Sequence, residues 1–438
     1  MRDLLLVTIV VICSLIAIRR PVFGILTYIF FGIVNPQGMV WDFGREFPLA
    51  MLTAMGTLVG YALWNEPKTF PRQREVVLLL ALWLLFMVST IFAIYPDRAN
   101  PRLSHISKVL LMTFFCMSII NTEARLQMLV KVIGLSLGLY GLKSGVSVIL
   151  DGGQNIVYGP EQSFLYSNNS IGLALAMNVP ILVYLFKREN NRKLRAVIGA
   201  MILFSYPAIV CTYSRGAWLG LTAATAIIFF KSQRKVALAT GLCIAIMMVL
   251  PLLPQSLYNR YDQLLNYKEE GSALSRFWNW EFCQRVGLSR PLYGGGFDFY
   301  SLENYARFYP EFLERWPDKV WSCHSTWFTI LGEHGVLAFC LWLALIGSCF
   351  LSIRKLRAYG LNHLADSAWL IDLSTMLQGT FVAYIVVASF LDAAYFDMIY
   401  ELIGAVVITK DIVRRAPVPV PVTPSVSDLR KSLSFSAS

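Results

Sequence analysis

Apolar runs of about 15 to 25 residues return along this chain between short polar joints, and a helix needs about 20 such residues to cross the hydrocarbon core of a bilayer. They cover 4–18, 22–34, 48–64, 76–94, 106–120, 126–150, 171–186, 196–212, 217–230, 236–253, 326–351, 369–391 and 394–408. The first two are short enough to form one crossing plus an interfacial piece, so about 12 transmembrane helices are expected. Of 438 residues 56% are hydrophobic and 15% charged, with mean hydropathy +0.56. That is more apolar surface than the polar residues of a soluble chain would cover. The fold class is an all-α polytopic membrane protein. Ahead of Arg19-Arg20 there is neither a basic leader nor a small-residue cleavage site, which argues against a cleavable signal peptide.

Lys and Arg of short loops stay in the cytoplasm. Arg19-Arg20, Lys68 with Arg72 and Arg74, Arg125, 187–195, 231–235, 354–357 and Arg414-Arg415 all fall on one side if every run crosses once. The other side receives 35–47, 95–105, 151–170, 213–216 and a long stretch at 254–325. The net charge of +11 is therefore mostly a topology signal with some attraction for anionic phospholipid. With no basic, aromatic-interleaved surface outside the membrane, no nucleic-acid partner is expected. Four segments follow: membrane helices at 1–253, a large outer loop with short helices at 254–325, further membrane helices at 326–410, and a Pro- and Ser-rich tail at 411–438 expected to be disordered in the cytoplasm.

Four motifs from distant parts of the chain face outward. In Cys-Thr-Tyr-Ser-Arg215-Gly-Ala-Trp218 a tight turn puts Arg215 at the membrane edge, where its planar fork suits phosphate oxygens. An arginine snorkelling to headgroups is the bland alternative. Gly271-Ser-Ala-Leu-Ser-Arg276-Phe-Trp-Asn-Trp280 begins an expected interfacial helix with Leu274, Phe277, Trp278 and Phe282 on its apolar side, placing Arg276 as a second cation at the depth of a lipid pyrophosphate. Its alternative is a solvated basic face. Arg290-Pro-Leu-Tyr-Gly-Gly-Gly-Phe lacks a following Lys-Ser/Thr, so it reads as a structural turn with Arg290 as a secondary phosphate candidate. His324, just before a membrane run, has the chemistry of a general base at neutral pH, or merely bonds to backbone.

Glu333-His334 lies deeper and is expected to serve helix packing before catalysis. Asn168 and Asn169 are candidate sugar-hydroxyl partners and Lys143 a candidate phosphate ligand, against loop capping and snorkelling. The cysteines show no metal spacing, and no metal or cofactor is expected. Cys283 and Cys323 share the oxidising face, where a bridge is allowed; two buried thiols are the default.

Together, Ser-Arg215-Gly between runs, Arg276 before Trp-Asn-Trp, Pro-Leu-Tyr-Gly-Gly-Gly-Phe, His324 and Leu-Gly-Glu-His-Gly-Val-Leu resemble the O-antigen ligase and polymerase superfamily. The first residues through Arg19-Arg20-Pro, with Asn35-Pro-Gln and Trp41-Asp-Phe-Gly, are similar to its exosortase-associated O-glycosylation ligase subgroup. The resemblance runs to about Arg415; the order of the motifs carries it, since none is specific alone. It implies a GT-C-like glycosyltransferase of the bacterial inner membrane with a periplasmic active site, using undecaprenyl-diphosphate-linked glycan as donor, lipid A-core as acceptor and no metal. It gives Arg215 and Arg276 the pyrophosphate and His324 the role of base. His334 departs from relatives, which commonly carry an apolar residue there. A polymerase, a protein O-oligosaccharyltransferase and, from another class, a lipid-linked glycan transporter are the rival readings; the last would be expected to show internal repeats.

Overall fold

The computed structural model describes residues 2–40, 43–45, 47–232, 235–250, 271–362 and 367–415. The described residues fold into helices without a strand: α1 (Arg2–Arg19), α2 (Pro21–Val34), α3 (Leu49–Leu63), α4 (Arg74–Ile91), α5 (Pro96–Ile119), α6 (Glu123–Leu150), α7 (Asn168–Arg188), α8 (Arg192–Val210), α9 (Arg215–Lys231), α10 (Lys235–Val249), α11 (Gly271–Ser289), α12 (Leu302–Phe308), α13 (Pro310–Arg315), α14 (Thr326–Asn362), α15 (Ala368–Ala388) and α16 (Asp397–Arg415). Each apolar run of the sequence is the body of one helix. Seven helices, α4 to α8, α14 and α15, are long and apolar enough to cross a membrane by length and composition. The chain is an all-α, multi-pass membrane protein. Residues 254–270 and 416–438, which hold the start of the expected outer loop and most of the expected disordered tail, lie outside the described residues, while α16 continues past position 410 to Arg415.

Where the chain reverses, short polar residues start the next helix. The side chains of Thr122, Ser167, Asn191 and Ser214 accept from backbone N–H groups of the first turns of α6, α7, α8 and α9. Small residues then let helices close, since apolar lipid offers no hydrophobic drive for their association. Gly56 and Gly60 of α3 sit against the backbone of α1, and Gly145 of α6 sits against the Phe204 carbonyl of α8, each where a Cβ would collide. The most buried span is α7, packed among α6, α8, α9 and α15.

The joints sort onto two ends. At the basic end Arg125 pairs with Glu66 (2.7 Å), Lys131 with Glu189 (2.9 Å), Lys187 with Asp372 (3.3 Å) and Lys410 with Glu75 (2.5 Å). At the other, here the loop end, Arg45 meets Glu161 (2.5 Å), His105 meets Asp397 (3.5 Å), and the Tyr95 hydroxyl donates to Glu303 (2.9 Å). Arg125 and Lys187, which the charge pattern assigned to one side, are both paired at the basic end.

Helices α11, α12 and α13 form a small aromatic module at the loop end around buried Phe282, Phe299, Tyr305 and Phe312. Here Cys283 and Cys323 are joined in a disulfide (Cα–Cα 6.5 Å), which corrects the default of two buried thiols. Within α11, Phe282 is buried and Trp278 half-buried as expected. Phe277 is exposed instead, and Trp280 packs inward on Phe328 with ring centroids 5.1 Å apart. The side chain of Leu274 lies outside the described residues.

Candidate functional site

The turn between α8 and α9 is built by its own hydroxyls. Thr212 Oγ1 donates to the Ile209 carbonyl (2.7 Å) and accepts from Ser214 N–H (3.2 Å), and Ser214 Oγ caps α9 through Ala217 N–H (3.4 Å). Trp218 Nε1 donates back to the Val210 carbonyl (3.0 Å). Tyr213 takes positive φ (54°), and its hydroxyl donates to the Gly153 carbonyl (2.9 Å). Arg215 is thereby fixed as the first, half-buried residue of α9. Asn168 opens α7 beside it and donates to the Thr212 carbonyl (2.9 Å), the loop-capping role of the two expected for it. Asn169 is exposed next to it.

From this turn the contacts lead to His324. A Cβ on Gly216 would lie 3.6 Å from Val387 and 3.7 Å from Phe390, so the start of α9 rests on the end of α15. Two residues after Phe390 stands Asp392, in the joint between α15 and α16. Its Oδ1 accepts from Thr329 Oγ1 (2.5 Å) and Ser325 N–H (3.2 Å), its Oδ2 accepts from Ser322 Oγ (2.5 Å), and Oδ2 lies 3.9 Å from His324 Nδ1. Three donors hold the carboxylate beside a half-exposed imidazole. His324 itself takes φ 48°, an uncommon backbone for a side-chain-bearing residue and one often found where function fixes a residue. The joint is pinned further by Thr326 Oγ1, which donates to the Leu391 carbonyl (2.9 Å) and accepts from Ala393 N–H (2.9 Å), and by Trp327 Nε1, which donates to Ser389 Oγ (3.0 Å).

Arg276 reaches the same end by another route. One turn beyond it on α11, Trp280 stacks on Phe328, four residues after His324. The Tyr305 hydroxyl lies within hydrogen-bond reach of Asn279 Oδ1 (3.1 Å) and of the Trp321 carbonyl (2.9 Å). The disulfide closes this frame, joining α11 to Cys323, the residue before the imidazole. Arg290 is engaged elsewhere. Its guanidinium donates to the Phe92 carbonyl at the end of α4 (2.5 Å) and lies 4.9 Å from the Tyr293 ring centroid, and burial pulls its pKa below the usual range. Lys143 is exposed on the flank of α6. A cavity of about 470 Å³ among α2, α3, α5 and α16 is lined by none of Arg215, Arg276 and His324.

The glycine run and Glu333-His334 form one structural joint. Gly295 N–H donates to the Gly332 carbonyl and Gly296 N–H to the Glu333 carbonyl (2.8 Å each), while Gly335 (φ 82°, ψ −179°) breaks α14 beneath Pro291. At the break His334 Nδ1 meets Ser89 Oγ (2.5 Å), its Nε2 meets the Tyr395 hydroxyl (2.6 Å), and that hydroxyl also reaches Glu333 Oε2 (2.5 Å). These contacts tie α4, α14 and the joint before α16 together through buried polar groups, at a pair that the sequence expected to serve helix packing before catalysis.

Asp392 is the residue of this candidate site that sequence reasoning missed. The available signal was a lone acid in a short joint between two apolar runs at the loop end.

Compared with known families, residues 199–343 match the model described as O-antigen ligase, and residues 1–190 match a family of unknown function. No curated protein matches the chain. The first match takes in Arg215, Arg276 and His324 and supports the O-antigen ligase superfamily for residues 199–343.

Proposed function

We propose that this protein is an inverting glycosyltransferase of the O-antigen ligase superfamily that moves a glycan from undecaprenyl diphosphate to a hydroxyl of lipid A-core, at the periplasmic face of a bacterial inner membrane. The basic end then lies in the cytoplasm with the carboxyl terminus, and the loop end carries the reaction. The observation that carries this reading is the His324–Asp392 pair on the joint that also supports the start of α9 at Arg215.

Asp392, held by three donors, keeps a proton on Nδ1 of the imidazole, so that Nε2 faces the acceptor as a base. Arg215 and Arg276 hold the donor's diphosphate and stabilise the charge that gathers on it as the anomeric bond breaks. The acceptor hydroxyl attacks the anomeric carbon from the opposite face, its proton passes to His324, and lipid diphosphate departs. One displacement inverts the configuration. A second carboxyl acid of the glycosidase kind has no task here, because a diphosphate leaves without being protonated.

The test is reconstitution of the purified protein in detergent with lipid-linked glycan and core lipid, read by product mass. Transfer to core lipid is the expected outcome; growth of the donor glycan alone would make the protein a polymerase, and modification of an added protein would make it a protein O-oligosaccharyltransferase. Absence of any product with a donor that binds would return the transporter reading. His324→Ala is expected to abolish transfer while donor binding persists, and near-normal transfer by that variant would remove the proposed base.

A further inference from the structure

Far from these residues, at the basic end, a second cavity of about 500 Å³ lies between the start of α4 and the last turns of α14 and α16. Helical spacing builds it. Ser352, Lys355 and Tyr359 follow at intervals of three and four on one face of α14, and Lys410 and Arg414 do so on α16. Arg74, the first residue of α4, completes four cations around the cavity.

Among the described residues one carboxylate pairs with them. Glu75 is fully buried, and its Oε1 accepts from Ser348 Oγ (2.8 Å) and Ser352 Oγ (2.6 Å), with Arg74 Nε at 3.4 Å. Its Oε2 takes the Lys410 ammonium at 2.5 Å. Glu75 thus has all the donors it can use, and its single charge is shared between two cations. Lys355 and Arg414 are exposed and have no ion pair among the described residues. Arg125, Lys131 and Lys187 at this end each have a carboxylate of their own, whereas Lys355 and Arg414 line the cavity without one among the described residues. Here the positive charge is concentrated and uncompensated around a concave space, with Leu356 and Val413 as its apolar wall.

We propose that this cavity binds the phosphate head group of an anionic phospholipid, with Lys355 and Arg414 as its principal ligands and Arg74 and Lys410 adding field from the floor. A planar guanidinium and a mobile ammonium together fit phosphate oxygens, and basic pockets between membrane helices are suited to such head groups. The apolar wall of Leu356 and Val413 favours a lipid over free phosphate. This site is separate from the proposed transfer site, and its test reads no transfer activity.

The experiment is native mass spectrometry of the delipidated full chain titrated with cardiolipin, phosphatidylglycerol, phosphatidylethanolamine or inorganic phosphate. Cardiolipin and phosphatidylglycerol are expected to bind well ahead of the other two. The double variant Lys355→Gln/Arg414→Gln is expected to weaken them roughly thirtyfold, equivalent to about 2 kcal/mol for two basic residues near the surface. Arg192→Gln/Lys193→Gln, which removes two exposed charges from the start of α8 at the same end, is expected to leave binding unchanged. Equal losses in the two double variants would reduce the effect to diffuse surface charge and overturn the site. Equal binding of phosphatidylethanolamine would overturn the charge argument, and competition by phosphate at the lipid's own concentration would overturn the lipid as occupant.

Discussion

At the scale of single residues, the imidazole owes its usefulness to its neighbours. His324 stands 3.9 Å from Asp392, within ion-pair range but long for a hydrogen bond, and catalytic hydrogen bonds commonly tighten only when substrate is bound. Asp392→Asn keeps the shape and removes the charge that fixes the tautomer. It is expected to lower the transfer rate on the order of 10²-fold or more with little change in donor binding, measured as separate turnover and donor-affinity terms. Arg215→Ala is expected to weaken donor binding and rate together, whereas Arg215→Lys retains a point charge without the fork and should recover part of both, as read by the same assay. Arg215, Arg276 and His324 were readable in the sequence as candidates through their place in the family's motif order, while spacing alone left snorkelling, a solvated face or a backbone bond as open alternatives. Asp392 was not, since its importance lies in three donors from 322–329, some 65 residues away in sequence, and no spacing rule connects them.

At the scale of elements, the informative feature is the break in α14. The sequence reads 326–351 as one apolar run, and so it is, but Gly335 adopts a backbone open essentially to glycine alone, with the Pro291 carbonyl where a Cβ would go. Gly335→Ala is expected to destabilise the protein by about 1–3 kcal/mol from backbone strain before the collision is counted, measurable as a lowered thermal midpoint in detergent. The kink was illegible because a contact 44 residues away decides it. Helix existence, by contrast, was legible throughout, since each apolar run must satisfy its backbone internally in lipid. The module of α11 to α13 carries a pH response of its own. The Tyr309 hydroxyl donates to Glu281 (2.7 Å), and with the Arg285 pairing (2.7 Å) it holds that carboxyl below its ordinary range against the opposing effect of burial. A depressed carboxyl contributes stability above its unfolded pKa and loses it as pH falls through the folded one. Limited proteolysis of this module should therefore quicken as pH drops below the usual carboxylate range, and Glu281→Gln should flatten that dependence.

At the scale of the whole molecule, two kinds of order are superimposed. Charge alternation along the chain sorts the helix ends, and this was legible because it is a property of sequence alone. The approach of α9 and of the α11–α14 frame to the joint at 389–396 is a property of packing, and the sequence offered it as an expectation from its outward-facing motifs and the family resemblance. One covalent bond spans the convergence. A crosslink closing 40 residues restricts the unfolded chain by about 4 kcal/mol in the loop-entropy model. Reduction of the purified protein, or Cys283→Ser with Cys323→Ser, is expected to loosen α11 from the segment of His324, seen as faster proteolysis near 271–325 and a fall in transfer. Under the proposed topology both cysteines lie on the periplasmic side, and the bridge can form only after the stretch that carries them has crossed the bilayer. A newly made chain is therefore an unfinished one, and its last step of manufacture belongs to the oxidants of the compartment it faces: a host short of them would accumulate correctly inserted protein with its proposed acceptor side unsecured.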